Sequence, residues 1–235
     1  MTKSANILRF EPSGPNGLDE WEQMDYDSLV FGQPLQKGYI YHEIPEQGYM
    51  VGVWACTAFT DQMMPYSVDE YMLFLEGELT MLLPNGDGIE IKAGDAFIVP
   101  KGFECQWQQN SSVRKFFMIL EGNAPKSKNA SLKQITVPNL AKPDNVALTT
   151  SRRDFLNNSG DMSVDVQAHG PVIQMGRTSK ANELITVLHG SLQLYDGEVQ
   201  HVFSKGDTAY LHKGDMVDWK TDLATHLIVA SYDRN

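Results

Sequence analysis

The sequence is poor in cysteine, in basic side chains and in long apolar runs. Its two cysteines, Cys56 and Cys105, lack the CxxC spacing of redox and zinc motifs, so two reduced core thiols are expected. A net charge of −11 disfavours binding to nucleic acid. No apolar run approaches the roughly 20 residues needed to cross a bilayer, and the opening stretch MTKSANILRFEPSGPNG lacks the apolar core of a signal peptide. We therefore expect a cytoplasmic protein that binds neither nucleic acid nor membranes.

What the sequence does contain is a series of short runs rich in β-branched and aromatic residues, beginning at Tyr39. Turn sequences such as Pro84-Asn85-Gly86 separate them, and helical periodicity is almost absent. This pattern is typical of an all-β sandwich or closed barrel. Only two short helical turns are expected, one beginning at Asn16 with Asp19 three residues later, and one over Ser151–Asp154.

An internal repeat is the clearest sign of the domain organisation. Glu183 and Gly190 lie 113 residues after Glu70 and Gly77. Further matches, each 112 residues apart, are Gly94 with Gly206, Gly102 with Gly214 and Trp107 with Trp219. Such a repeat predicts two tandem barrels that pack as an internal pseudo-dimer. The predicted parts are an N-terminal arm at 1–37, a first barrel at 38–122, a polar linker at 123–133 and a second barrel at 134–235.

These residues also resemble the two sequence motifs of cupins. The end of the first motif, E(X)6G, is matched by Glu70…Gly77 and by Glu183…Gly190. The start of the second, G(X)5PXG, is matched by Gly94…Gly102 and, with His212 replacing the proline, by Gly206…Gly214. The chain resembles in particular the group of unknown function that includes the EutQ-type ethanolamine-utilisation cupins. The resemblance implies RmlC-like jelly-roll barrels (double-stranded β-helices) and homodimers that form through barrel edges.

The chain departs from the cupin motifs where metal-binding cupins carry their ligands. The resemblance implies three histidines and one glutamate, a donor set suited to Mn, Fe, Ni or Zn. Here only Glu70 and Glu183 remain. The histidine positions fall on Met64 and Tyr66 (or Met63 and Pro65) and Cys105 in the first half, and on Arg177 and Ser179 (or Gly176 and Thr178) and Val217 in the second. A lone carboxylate offers too few donors, so no metal cofactor is expected, although a divalent ion stays an alternative.

The six histidines of the chain do not supply the missing ligands. None of them has HxH, HxxH or HxxxH spacing, and each is expected to be a surface residue or a satisfied core residue. His189 has the same strand parity as Glu183 and is the one that could approach it.

The interior of the first barrel is the better candidate site. Residues two apart on a strand share a face, so Glu70 and Met72 point together, as do Cys105, Trp107 and Gln109. With Met64 and Tyr66 nearby, these side chains form an apolar cup with few polar groups, typical of a small-molecule pocket, although they could equally fill a small barrel as core. In the second barrel Arg177 could pair with Glu183, beside Ser179, Val217 and Trp219.

Three functional hypotheses remain open. In the first, the protein binds a small polar metabolite in the first barrel. In the second, it is a lyase, isomerase or hydrolase in which Glu70 carries a proton and Tyr66 or Gln109 orients the substrate. In the third, the protein has a structural or assembly role through its edge strands. Cys105 could act as a nucleophile only beside a base, and an inert buried thiol is favoured.

Overall fold

Strands make up almost all of the regular structure. The computed structural model describes residues 6–122, 130–135, 149–222 and 224–234. Within these ranges the helical elements are two single turns of 3-10 helix, Tyr26–Ser28 and Pro45–Gln47, so the predicted all-β class is confirmed. None of the helices in this part of the chain has the length and apolar character that a membrane span requires.

The chain divides into two compact units. The first barrel unit is Glu11–Ile135, and the second barrel unit combines Met1–Phe10 with Thr136–Asn235. The predicted boundaries of arm, barrels and linker stay predictions. Of the predicted linker, residues 123–129 lie outside the described residues, as do 1–5 of the arm and 136–148 of the second barrel.

The first barrel unit consists of two sheets. Strand β1 (Leu8–Phe10) belongs to the second unit, and the twelve that follow it belong to the first: β2 (Asp19–Glu20), β3 (Gln36–Ile44), β4 (Tyr49–Cys56), β5 (Phe59–Thr60), β6 (Met64–Pro65), β7 (Asp69–Glu76), β8 (Glu78–Leu82), β9 (Gly88–Lys92), β10 (Ala96–Val99), β11 (Glu104–Gln109), β12 (Val113–Leu120) and β13 (Lys133–Gln134). Seven strands pair in the order β13-β10-β7-β12-β4-β3-β2. A second sheet runs β5-β11-β8-β9, with β6 also paired to β11.

The second barrel unit repeats this arrangement. Its strands are β1 together with β14 (Thr150–Leu156), β15 (Met162–His169), β16 (Val172–Thr178), β17 (Asn182–His189), β18 (Ser191–Tyr195), β19 (Gln200–Ser204), β20 (Thr208–Leu211), β21 (Met216–Thr221) and β22 (Thr225–Tyr232). Six strands pair in the order β1-β20-β17-β22-β15-β14 and four in the order β16-β21-β18-β19. Strands β7, β11 and β12 therefore correspond to β17, β21 and β22.

Each unit has its own apolar core, set by strand alternation. On β11, Cys105, Trp107 and Gln109 are buried while the residues between them are partly or fully exposed, so the predicted shared face is confirmed. On the facing sheet Met72 and Phe74 enter the same core cluster. The predicted tandem barrels are thus built around two separate interiors.

The two helical turns expected near Asn16 and over Ser151–Asp154 are corrected to strands. Residues Asp19–Glu20 pair with β3 instead of continuing a helix. Strand β14 covers Thr150–Leu156 and pairs along its length with β15. In this extended form Arg152 and Asp154 share a face and form an ion pair 2.6 Å long. Cross-strand pairing therefore overrode the local capping pattern.

Candidate functional site

Glu70 lies inside the first barrel unit. It is the second residue of β7, pairs with Val99 of β10 and Ile119 of β12, and is only 3% exposed. Its face of β7 continues through Met72 and Phe74 into the core. A carboxylate removed from water in this way needs hydrogen-bond partners, because an unpaired buried charge is costly.

Tyr66 supplies one of these partners. Its hydroxyl donates to Glu70 Oε2. The backbone holds the tyrosine in place, because its N–H donates to Phe103 O at 2.8 Å and its carbonyl accepts from Gly102 N at 2.7 Å. Burial, and secondly the neighbouring Glu70 carboxylate, raise the pKa of Tyr66 well above its usual value. The phenol is therefore a hydrogen-bond donor at neutral pH.

Lys115 supplies the second partner, and sequence reasoning missed it. Its Nζ donates to Glu70 Oε1 at 2.8 Å, and the two side chains are 7% and 3% exposed. Lys115 lies on β12 between Val113 and Phe117, which both belong to the core. The alternation of Val113, Lys115 and Phe117 along one strand was the available signal for an inward lysine.

Two indole rings and a thioether surround the Lys115 ammonium group. Its Nζ lies 4.8 Å from the ring centroids of both Trp54 and Trp107, close enough for cation–π attraction. It also lies 3.1 Å from Met72 Sδ. The ammonium group thus has one strong acceptor, one weak acceptor and two aromatic faces around it.

Gln109 fixes the orientation of Trp107. Its Oε1 accepts the indole N–H of Trp107 at 2.7 Å, and its Nε2 donates to the backbone carbonyls of Cys56 and Thr57 at 3.0 and 2.7 Å. Because the side-chain amide is already hydrogen-bonded on both sides, it positions the indole beside Lys115. The described contacts show no second role for Gln109 toward a substrate.

The remaining predicted residues of the first barrel lie less centrally. Cys105 is buried in the core, and burial, with a smaller effect of Asp61, raises the pKa of its thiol to about 11. Burial also raises the pKa of Cys56 to about 12. Met64 is 42% exposed and pairs with Cys105 across the strands β6 and β11. The structure therefore groups Tyr66, Glu70, Met72, Lys115 and Trp107, and leaves Met64 at the surface.

The second barrel unit contains the matching glutamate with a different cation. Arg177 Nη2 donates to both carboxylate oxygens of Glu183, at 2.7 and 2.8 Å, so the pairing expected from the sequence is present. Ser179 Oγ donates to Glu183 Oε2 at 3.0 Å. The guanidinium lies 4.7 Å from the Trp219 ring, and Val217 is buried in the core beside it. Both oxygens of this carboxylate are thus occupied by protein donors.

His189 does not share a face with Glu183. A β-bulge shifts the register between Val187 and His189, which then pairs with His226 of β22. The next inward residue on β22 is Leu227, so the bulge turns His189 to the opposite face. Its ring lies 5.5 Å from that of His226 and its Nδ1 is 2.8 Å from Ala224 O.

The donor sets of the two glutamates do not fit a metal ion. In the described part of the chain no three His, Cys, Asp or Glu side chains come together as a metal site would require. Lys115 and Arg177 place a cation against each carboxylate. The buried thiol of Cys105 in the same unit has a raised pKa, which disfavours thiolate ligation. Protein cations thus balance the charge of the glutamates in both units.

Comparisons with known proteins agree with this fold. The family model described as the EutQ-like cupin domain matches residues 45–117 and 169–226, one segment in each unit. No curated protein sequence matches the chain.

Several solved structures have the same fold at low sequence identity. A protein of unknown function from Pseudomonas syringae pv. tomato has a TM-score of 0.74 at 15% identity, covering 96% of this chain and 99% of its own. A cupin 2 conserved barrel domain protein from Leptotrichia buccalis has a TM-score of 0.64 at 9% identity, covering 92% and 98%. Salicylate 1,2-dioxygenase from Pseudaminobacter salicylatoxidans has a TM-score of 0.52 at 11% identity, covering 79% and 71%. At these identities the likeness concerns the fold alone.

Proposed function

The chain belongs to the EutQ-like cupin domain family, and we propose that its first barrel unit binds a small polar metabolite through the cluster of Glu70, Lys115 and Tyr66. The metabolite carries an oxygen acceptor, and it binds without a metal ion. The observation that carries the proposal is the Lys115 ammonium group, which is buried among two indoles with a single carboxylate partner.

The hydrogen bonds of Lys115 explain why the ligand needs an oxygen acceptor. An ammonium group has three N–H donors. One donates to Glu70, and another faces the sulfur of Met72, which is a weak acceptor. A carbonyl or carboxylate oxygen that replaced the sulfur would form a stronger, charge-assisted hydrogen bond.

The walls of the cluster favour a small ligand with an apolar remainder. Trp107 stacks on Phe59 at 6.4 Å and lies edge-on to Trp54 at 6.1 Å. Apolar and aromatic walls around a few polar groups are typical of small-molecule sites. A one- to few-carbon chain beside its oxygen group would match this composition.

The second barrel unit is the weaker candidate for the same role. Arg177 already donates to both oxygens of Glu183, and Ser179 adds a third hydrogen bond. A ligand oxygen would have to displace charge-assisted hydrogen bonds between a guanidinium and a carboxylate, which are stronger than a contact between an ammonium group and a thioether. For that reason the proposal is confined to the first unit.

An assembly role through barrel edges is a second candidate, favoured by one observation. Strand β16 is an edge strand of the four-stranded sheet, and its Ile173 and Met175 are 71% and 72% exposed. An edge strand with exposed apolar side chains can pair with another chain. We propose a homodimer through this edge, to be tested by the molar mass in solution of the native chain and of Ile173→Lys. A monomeric native chain would refute it.

Ligand binding is tested with defined small molecules. Pyruvate, lactate and acetate are the oxygen acceptors, and ethanolamine is the cationic comparison that Lys115 should reject. Thermal shift and tryptophan fluorescence both report binding, because Trp54 and Trp107 flank the ammonium group. A ligand at 100 times its dissociation constant adds about 2.7 kcal/mol of stability.

Two variants assign the binding to Lys115. Lys115→Met should abolish the shift produced by an acceptor ligand. Arg114→Gln, on the other face of the same strand, should leave it unchanged. If Lys115→Met unfolds, the double variant Lys115→Met/Glu70→Gln removes both buried charges and serves instead. Binding that survives the loss of Lys115, or no binding by any of the three acceptors, would refute the proposal.

A further inference from the structure

We propose that Lys115 Nζ forms an imine with a small aldehyde or ketone, and that Glu70 carries the protons for this reaction. This inference rests on the proposed function, since it makes the oxygen acceptor of the ligand a reactive carbonyl group. It assigns a nucleophile to the first barrel that the sequence motifs did not indicate.

Lys115 is a buried lysine whose nitrogen lies beside a carboxylate that can act as its base. Its side chain is 7% exposed and lies against Trp54, Trp107 and Met72. A lysine nucleophile needs an adjacent group that takes its proton, and Glu70 lies at hydrogen-bond distance. The other described lysines with hydrogen bonds contrast with it: Lys101 Nζ, for example, donates to the backbone carbonyls of Glu121 and Gly122 in a partly exposed setting.

Glu70 is placed to take and return the proton. Its Oε1 is 2.8 Å from Lys115 Nζ, so proton transfer converts an ammonium and a carboxylate into a neutral amine and a neutral acid. Because both groups are buried, this transfer removes two charges from an apolar environment rather than creating any. Tyr66 donates to the other oxygen, Oε2, and so orients the carboxyl group toward Lys115.

The reaction balances with these groups alone. Glu70 first accepts a proton from the Lys115 ammonium group. The free amine adds to the carbonyl carbon, forming the C–N bond, and the nitrogen proton moves to the oxygen to give a carbinolamine. The acid form of Glu70 then protonates the hydroxyl group, the C–O bond breaks, and water leaves. The products are a protonated imine on Lys115, one water molecule and the Glu70 carboxylate, with no change in oxidation state.

A cavity in the same unit is connected to this cluster through a hydrogen bond from Trp54 to a lining residue, Gln36. It has a volume of about 210 Å³ and is lined by Trp21, Tyr26, Leu35 and Gln36 among others. Gln36 Oε1 accepts the indole N–H of Trp54 at 3.0 Å, and Lys115 Nζ lies 4.8 Å from the centroid of the same indole. In the proposed reaction a small carbonyl compound would approach from this side, past Gln36 and Trp54.

Reductive trapping tests the inference. The full chain is incubated with pyruvate and cyanoborohydride, and the intact mass and a peptide map locate the adduct. We expect one adduct per chain, on Lys115, formed at least about tenfold faster than on any other lysine. Lys115→Arg should abolish this adduct, because a guanidinium group stays protonated. Lys37→Arg, which changes an exposed lysine, should not affect it.

Lactate separates failure of this inference from failure of ligand binding. It has the size of pyruvate and an oxygen acceptor, but no ketone at the reacting carbon. If both compounds shift the thermal stability and pyruvate leaves no adduct on Lys115, imine formation is refuted while the binding function stands. If neither compound shifts it and no adduct forms, both are refuted. Labelling spread evenly over exposed lysines, or persisting in Lys115→Arg, also refutes the imine.

Discussion

Tyr66 and Ser179 are matching residues, since each donates a hydroxyl hydrogen bond to the glutamate four residues later in its own unit. Their backbones are held in the same way. Tyr66 N donates to Phe103 O and Ser179 N donates to Asp215 O, both at 2.8 Å. The repeat has therefore kept a hydroxyl donor on the carboxylate in each unit while the cation changed. In the first unit the cation comes from β12, as Lys115, and in the second from β16, as Arg177.

The Lys115–Glu70 pair predicts a specific pattern of stability in single and double variants. Lys115→Met should lower the free energy of unfolding by about 3–5 kcal/mol, because it leaves the Glu70 carboxylate buried without its cation. Lys115→Met/Glu70→Gln should recover most of this loss, because neither charge remains. Urea unfolding followed by far-UV circular dichroism measures both values.

A neighbouring ion pair supplies the control for this pattern. Arg114 pairs with Glu76 at 3.1 Å, and the Glu76 side chain is 60% exposed. Arg114→Gln should therefore cost no more than about 1 kcal/mol. Equal losses for Lys115→Met and Arg114→Gln, with no recovery in the double variant, would contradict the assigned burial of the pair.

In the second unit the geometry of Arg177 predicts that lysine cannot replace it. Its guanidinium reaches both oxygens of Glu183 and also lies over Trp219. Lysine keeps the charge but has one nitrogen, so it loses the hydrogen bond from Arg177 Nη1 to Ser179 Oγ at 3.1 Å and the planar stacking. Arg177→Lys should thus lower the free energy of unfolding by about 1–2 kcal/mol. Arg114→Lys is the control, because Arg114 makes a single contact with the exposed Glu76. A similar loss in both variants would argue against a special role for Arg177.

The fold was predictable from the sequence because it depends on repeated, local signals. Glycine and proline turns, strand alternation and the spacing of Glu70 and Glu183 all follow from the residues themselves. The inward faces of β7 and β11 followed from the same alternation. The sequence alone was therefore sufficient to predict two tandem β-barrels and the strands that carry the two glutamates.

The composition of the candidate site was harder to predict, for two physical reasons. Lysine is almost never fully buried, so Lys115 within Val-Arg-Lys-Phe-Phe resembles an ordinary solvent-facing residue of an edge. A second reason is that the connection of Lys115 to Glu70 runs between two strands: beyond a β-bulge in the β7–β12 ladder, Lys115, Phe117 and Ile119 lie opposite Phe74, Met72 and Glu70. The same irregularity, between Val187 and His189, turned His189 away from Glu183. Bulges depend on the partner strand, and one strand's sequence does not reveal them.

The thiols of Cys56 and Cys105 should be unreactive in the folded protein. Burial raises their pKa values to about 12 and about 11, so at pH 7 the thiolate fraction of Cys105 is roughly one in ten thousand. We expect almost no reaction with Ellman's reagent under native conditions and two thiols per chain in denaturant. Rapid labelling of one native thiol would show that this cysteine is a nucleophile candidate after all.

The raised pKa of the Cys56 thiol predicts a loss of stability at alkaline pH. Because the folded pKa of Cys56 is raised from 9.0 to about 12, its contribution to stability is complete below pH 9 and disappears as the pH rises toward 12. Cys56→Ala should flatten that part of the stability profile relative to the native chain. An unchanged slope in the variant would show that other groups, such as the tyrosines, govern alkaline unfolding.

The lowered pKa of His169 predicts that the stability of the fold decreases as the pH falls below 6.5. Burial, followed by the nearby Arg177 and His226 charges, lowers its pKa from 6.5 to about 4. In the neutral ring Nε2–H can donate to Gln167 Oε1 at 3.0 Å, and Nδ1 can accept from Thr149 at 3.1 Å. Above pH 6.5 the ring is neutral in both states and its stabilisation is fully present. Between pH 6.5 and 4 the unfolded chain takes up a proton that the folded chain does not, so stability falls by at most about 1.4 kcal/mol per pH unit.

A variant separates this contribution from the carboxylates that titrate in the same range. His169→Gln removes the titrating ring and keeps a side-chain amide that can donate to Gln167. As the pH falls from 6.5 to 4, the native chain should therefore lose more unfolding free energy than His169→Gln does. His201→Gln, which removes a histidine near the surface paired with Asp196 at 3.5 Å, is the control and should not reproduce that trend. A constant difference for His169→Gln across the range would mean that the folded protein accepts the proton at this ring as readily as the unfolded chain does.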